Sequence, residues 1–146
     1  AAQSKKNYYC KETICEFILN QGFVPINPFQ VFGYFLNDRV DRTLVRIGNN
    51  ELIARCDELW VFGSIADGVL FEIVRAFQLK IPVKFYTIST YSKEIEEIID
   101  INKLTFEPEV HAQIGKENLI KFLSQLNLDE TEKTQLILNF DNFVNK

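Results

Sequence analysis

The stretch from Glu58 to Ile88 constrains the fold more than any other part of the chain. Glu58-Leu59-Trp60-Val61-Phe62-Gly63 is a continuous apolar run of strand length closed by a glycine, the pattern of a central parallel strand covered on both faces. Ser64-Ile65-Ala66-Asp67-Gly68 reads as a loop by composition. Val69 to Leu79 then sets Val69, Ile73, Ala76 and Phe77 along one helical face, and Pro82 to Ile88 is a second β-prone run. Strand, short loop, helix, strand is a βαβ unit, which closes parallel and right-handed in nearly all known cases.

The flanking segments extend an α/β pattern. From Tyr8, the residues Tyr8, Ile14, Cys15, Ile18 and Leu19 recur at helical spacing and Gly22 ends the run, so an amphipathic helix is expected there. Phe23-Val24-Pro25-Ile26 reads as a short strand closed by Asn27-Pro28. Phe29 to Asn37 is aromatic-rich, as in a packed lid or short helix. Asp41 to Arg55 reads as a helix capped by Asp41, with Gly48-Asn49-Asn50 interrupting it as a bend. Beyond Ile88 the chain reads as helical: Ser92 to Ile101 with an acidic exposed face, a stripe of Leu119, Ile120, Phe122, Leu123 and Leu126, and another of Leu136, Ile137, Phe140, Phe143 and Val144.

At 146 residues the chain is expected to be one domain (1–146), with a core over 7–101 and a helical C-terminal extension over 102–146. A core of this size needs no disulfide or metal staple. The 3 cysteines, Cys10, Cys15 and Cys56, form neither a CxxC pair nor a framework spacing, which points to a reducing cytoplasm. Sixteen basic against twenty acidic residues give a net charge of −4, no electrostatic footprint for nucleic acid. No run is long and apolar enough for a membrane span and no leader pattern opens the chain, so no membrane partner is expected.

Ligands of open parallel sheets gather beyond the carboxyl ends of the strands, where loops lead into helix N-termini. Ser64, Asp67 and Gly68 fall in that position, with Glu72 expected in the first turn of the following helix. Gly68 would allow close backbone approach or positive φ. Free N–H groups and positive potential at the helix start would bias Glu72 toward its ionised form. A carboxylate held so can attack an anomeric carbon. The plainer reading is a cap at Asp67 and a dipole-favoured surface residue at Glu72.

The segment CDELWVFGSIADGVLFEIVRAFQLKIPVKFYTI, from Cys56 to Ile88, resembles the core signature of the nucleoside 2-deoxyribosyltransferase-like superfamily. The likeness is closest to a small, uncharacterised bacterial and phage branch. Tyr9-Cys10 through Gly22, Pro25 and Pro28, and Phe35-Leu36-Asn37-Asp38, match further elements, so the resemblance covers about residues 7–88. It implies a flavodoxin-like or Rossmann-like parallel sheet flanked by helices, with no cofactor. It also implies a nucleoside or nucleotide as small-molecule partner, and a homo-oligomer whose neighbours complete each pocket. On this resemblance Glu72 is the nucleophile that forms a glycosyl-enzyme intermediate, and Asp67 lies near the carboxylate that grips sugar hydroxyls. Ser64 and Gly68 shape the sugar or phosphate pocket, and Phe29 and Phe32 wall off a base. The superfamily's other acid falls near Asn49, where an amide can bind substrate but cannot act as a general acid.

The remaining polar residues add little. His111 is the only histidine, so no His-rich metal site exists and no metal is expected; its surroundings are those of a surface residue. Trp60 reads as core and Cys56 as a buried, inert thiol. Arg39, Arg42, Arg46 and Arg55 suit a substrate phosphate or a solvated helix face equally well. Neither a P-loop nor a complete GxGxxG is present. Two functions are expected on these grounds: N-glycosidic bond chemistry, by hydrolysis or base exchange, or a non-catalytic nucleotide-binding or regulatory module of the same fold. A weaker third is an interaction protein whose last two helices dock a partner.

Overall fold

A computed structural model describes residues 10–33, 39–89, 91 and 94–126. Helix α1 spans Lys11–Asn20. It buries Ile14 and packs Phe17 and Ile18 against Trp60, Phe62 and Tyr86. Leu19, placed by its spacing on the packed side, is instead exposed. Gly22 takes φ +83, a left-handed turn that favours glycine. The expected strand at 23–26 is not formed: these residues pair with no other strand among those described, and Val24 and Ile26 lie exposed. Their β-branched side chains meet the local preference for extended backbone, but no neighbour supplies a ladder.

A four-residue helix, α2, follows at Pro28–Val31. Helix α3 spans Arg42–Ile53, and Asp41 caps it by accepting from the Thr43 N–H at 2.7 Å. The expected bend at Gly48-Asn49-Asn50 is absent, and the helix runs straight through. Packing explains this. The Phe32 ring lies against Gly48, where a Cβ would fall 2.9 Å from Phe32 Cζ, so the glycine makes room for an aromatic ring within a regular helix.

Strands β1 (Leu59–Phe62) and β2 (Val83–Ile88) pair in parallel, with Leu59 opposite Val83 and Phe62 opposite Tyr86. Helix α4, Asp67–Gln78, connects them. Strand β3, Ile95–Glu97, pairs antiparallel to β2, so the described sheet is mixed, in the order β1-β2-β3. Two expectations change here. The acidic stretch expected to be helical over 92–101 contains an edge strand, with no helix among the described residues 94–100, and its glutamates charge the exposed edge. And β1, expected to be central, borders the described sheet while β2 occupies its middle.

After a 3-10 turn at Ile101–Lys103, the chain returns to the end of β1. There Ile65 N–H donates to Thr105 O at 2.8 Å and Glu107 N–H donates to Ile65 O at 3.0 Å. Helices α5 (Pro108–Ile114) and α6 (Lys116–Gln125) follow, hinged at Gly115 with φ +80. The expected stripe is present: Leu119, Phe122, Leu123 and Leu126 are buried. The stripe from Leu136 to Val144 lies outside the described residues.

The core forms on both faces of the sheet. Val61, Ile65, Leu70, Ile73, Leu104 and Leu119 fill one side, and Cys10, Ile14, Phe62, Tyr86 and Ile88 the other. Alternate residues of β1 and β2 serve opposite sides, as the pleat requires. The result is a mixed α/β domain with helices on both faces of the sheet. Among the described residues no helix is long and apolar enough to cross a membrane.

Candidate functional site

Helix α4 leaves the carboxyl end of β1 through a compact turn. Gly63, directly after the strand, takes φ +77, and its N–H donates to Tyr86 O at 2.9 Å. Close backbone approach or positive φ was expected at Gly68; the positive φ falls at Gly63 instead. Gly68 is helical, with nothing within 4 Å of where a Cβ would lie. Ser64 Oγ and Thr105 Oγ1 are hydrogen-bonded at 2.8 Å, which ties the turn to the returning segment. No local pattern foretold Thr105, because its partner is 41 positions away.

The helix begins at Asp67, with Ala66 as its N-cap and no side-chain cap. Asp67 is therefore the first helical residue, exposed, its Oδ1 accepting from the Gly68 N–H at 2.6 Å. Glu72 then falls in the second turn, not the first. The positive potential of a helix start fades within one turn, so it cannot hold Glu72 ionised. The expected bias toward the carboxylate is reversed: desolvation by burial raises the Glu72 pKa from 4.5 to about 7, and a hydrogen bond from Asn49 only partly opposes that.

That bond joins two helices. Asn49, in the third turn of α3, donates through Nδ2 to Glu72 Oε1 at 3.3 Å. Both residues are half-buried, but the Asn49 Oδ1 atom is closed to solvent and has no hydrogen-bond partner among the described residues. The structure thus brings together Glu72 and Asn49, two of the residues singled out from the sequence. Phe32 joins them through its contact with Gly48, one residue before Asn49. Asp67 and Gly68 open α4 about a turn before Glu72, and Ser64 lies in the bend that precedes the helix. The Phe29 side chain lies outside the described residues.

Charged neighbours have partners of their own. The Arg46 guanidinium lies 5.1 Å from the Phe71 ring centroid, a cation–π contact across the same pair of helices. Arg55 pairs with Glu51 at 2.8 Å. Neither arginine reaches Glu72 in the described contacts, and the Arg42 side chain lies outside the described residues. His111 is exposed on α5. Cys56 is part-buried; its Sγ donates to Leu52 O at 3.2 Å, and burial, followed by the nearby Asp57 charge, raises its pKa, which favours the unreactive thiol. Trp60 is part-buried in the packed face beside α1.

A groove of about 430 Å³ lies at the opposite end of the sheet, lined by Phe77, Val83, Phe85, Ile98, Ile101 and Leu123 among others. Glu72 does not line it. Among the described residues no group of three or more His, Cys, Asp or Glu side chains gathers in a way that would hold a metal ion.

A mixed α/β domain with a desolvated carboxyl–amide pair between two helices is the class that fold and site define. A family model described as Domain of unknown function (DUF7768) matches residues 1–100, and the chain belongs to that family. No curated protein and no solved structure matches it.

Proposed function

We propose that this domain takes a nucleoside or nucleotide at the seam between α3 and α4 and acts on its N-glycosidic bond, with Glu72 as the nucleophile. The observation that carries this reading is a carboxyl whose pKa desolvation pushes up to about 7, against an amide whose buried oxygen has no partner among the described residues. Perturbed carboxyls of this kind concentrate at reactive sites. A group titrating near the working pH is ionised in a large fraction of molecules, yet remains poorly solvated and hence reactive.

In the proposed step a Glu72 oxygen forms a bond to C1′ as the C1′–N bond breaks. The bonding pair leaves with the base nitrogen, which takes a proton from water. Water, or the nitrogen of a second base, then attacks C1′ and frees the carboxylate. Water yields sugar and base; a second base yields an exchanged nucleoside. The test is chromatography of nucleosides and nucleoside 5′-monophosphates incubated with the chain. Base release by the native chain, lost on Glu72→Gln, is the expected result; equal release by both overturns the assignment.

A second reading has its own observation. An amide, not an acid, faces Glu72, and Glu72 does not line the 430 Å³ groove, which favours a binding module of the same fold. Thermal stabilisation by a nucleotide without any turnover supports that reading over the first.

A further inference from the structure

We infer that Asn49 selects for a ribose over a 2′-deoxyribose, reading the 2′-hydroxyl of the substrate through the side-chain oxygen it turns away from Glu72; this rests on the function proposed above. An ionised carboxylate can only accept hydrogen bonds. Against the attacking form of Glu72, the Asn49 amide must therefore present its Nδ2 donor, as it does at 3.3 Å. That fixes Oδ1 on the far side, buried and without a partner among the described residues. A buried acceptor left unsatisfied is costly and is normally met by a ligand or water.

Stereochemistry supplies the ligand group. In a β-nucleoside the base occupies one face of the sugar and the 2′- and 3′-hydroxyls the other. A nucleophile displacing the base approaches C1′ from the face opposite the base, which is the hydroxyl face. An amide hydrogen-bonded to that nucleophile flanks C1′; set on the C2′ side, its oxygen would meet the 2′-hydroxyl that a ribose carries there. The hydroxyl donates to Oδ1. A 2′-deoxyribose offers only hydrogen at that position and leaves Oδ1 desolvated. Sites that bury a polar group for a substrate hydroxyl reject the analogue lacking it.

The other charged groups on the neighbouring elements do not compete for Oδ1 among the described contacts. Arg46 stacks on Phe71, Glu51 pairs with Arg55, Arg75 reaches Gln78, and Lys84 on β2 pairs with Glu58.

The experiment incubates the full chain with the four ribonucleoside 5′-monophosphates and their 2′-deoxy counterparts, reading base release by chromatography and affinity by calorimetry. The ribo member of the accepted pair is favoured by about 10- to 100-fold, and Asn49→Ala brings the ratio toward one. Equal use of both members by the native chain overturns the inference, as does a preference that survives in a folded Asn49→Ala or Asn49→Ser chain. The ratio for the native chain decides even if neither variant folds. Binding or cleavage without discrimination removes only the role of Asn49; failure of all eight nucleotides to bind or react removes the proposed function with it.

Discussion

Asn49 and Glu72 meet across the seam between α3 and α4, the amide Nδ2 donating to the carboxyl at 3.3 Å. They lie 23 positions apart on helices that flank the same strand. The pair is held by burial more than by charge: desolvation is the larger influence on Glu72 and raises its pKa to about 7, while the amide pulls it down.

The Glu72 contribution to stability falls as pH rises from about 4.5 to about 7. Below about pH 4.5 the Glu72 carboxyl is neutral in both states. Between about 4.5 and about 7 the unfolded chain ionises while the folded chain keeps its proton, so the native state binds more protons and loses stability as pH climbs. The shift corresponds to about 3 kcal/mol, complete above pH 7. Glu72→Gln keeps a neutral side chain at every pH. Denaturant melts at pH 5 and pH 8 will show it less sensitive than the native chain and more stable at pH 8.

Activity runs in the opposite direction. Attack on C1′ needs the carboxylate, so kcat/KM rises about tenfold per unit below the Glu72 pKa and levels off above it. A pH–rate profile of base release with its acidic limb near 7 is the expected outcome. A limb near 4 would mean that Glu72 is solvated in the working enzyme.

Gly48→Ala separates helix propensity from packing. Alanine favours a helix interior by about 1 kcal/mol over glycine, but here its Cβ would meet Phe32 Cζ at 2.9 Å. Alone, the substitution displaces the Phe32 ring and yields little or no gain. Combined with Phe32→Ala it recovers the helical gain relative to Phe32→Ala alone, a non-additivity that urea melts of all four chains measure.

The central core is expected to behave conventionally. Ile65 and Leu70 are 0% and 1% exposed and sit where the strand, α4 and the returning segment converge. Ile65→Ala and Leu70→Ala each cost about 2–5 kcal/mol. Leu44→Ala on the exposed face of α3 costs far less. The same denaturant titrations rank all three.

What the sequence made legible were the features with local signals. The apolar run at 59–62, the helical period after it and the run at 83–88 each declare themselves within a few residues, and Asp41 caps α3 through a neighbour two positions on. The misread elements depend on distant partners. Residues 23–26 have strand propensity but no strand to join. Gly48 looks like a break until Phe32 is packed on it. The stretch after Ser92 looks helical until β2 offers Ile95 an antiparallel neighbour. The site divided in the same way: Glu72 stood out by its position after the central motif, but its ionisation is set by burial against Asn49, which no local pattern reports. Thr105, which holds Ser64, was invisible for that reason too.

Base release from ribonucleoside 5′-monophosphates, compared between the native chain and Glu72→Gln, bears most directly on whether this carboxyl does chemistry. The native chain is expected to release free base, and the variant to lose on the order of 10³-fold or more of that rate, with the fold intact by its melting curve. Undiminished release from Glu72→Gln, or none from the native chain with any nucleotide, would contradict that expectation.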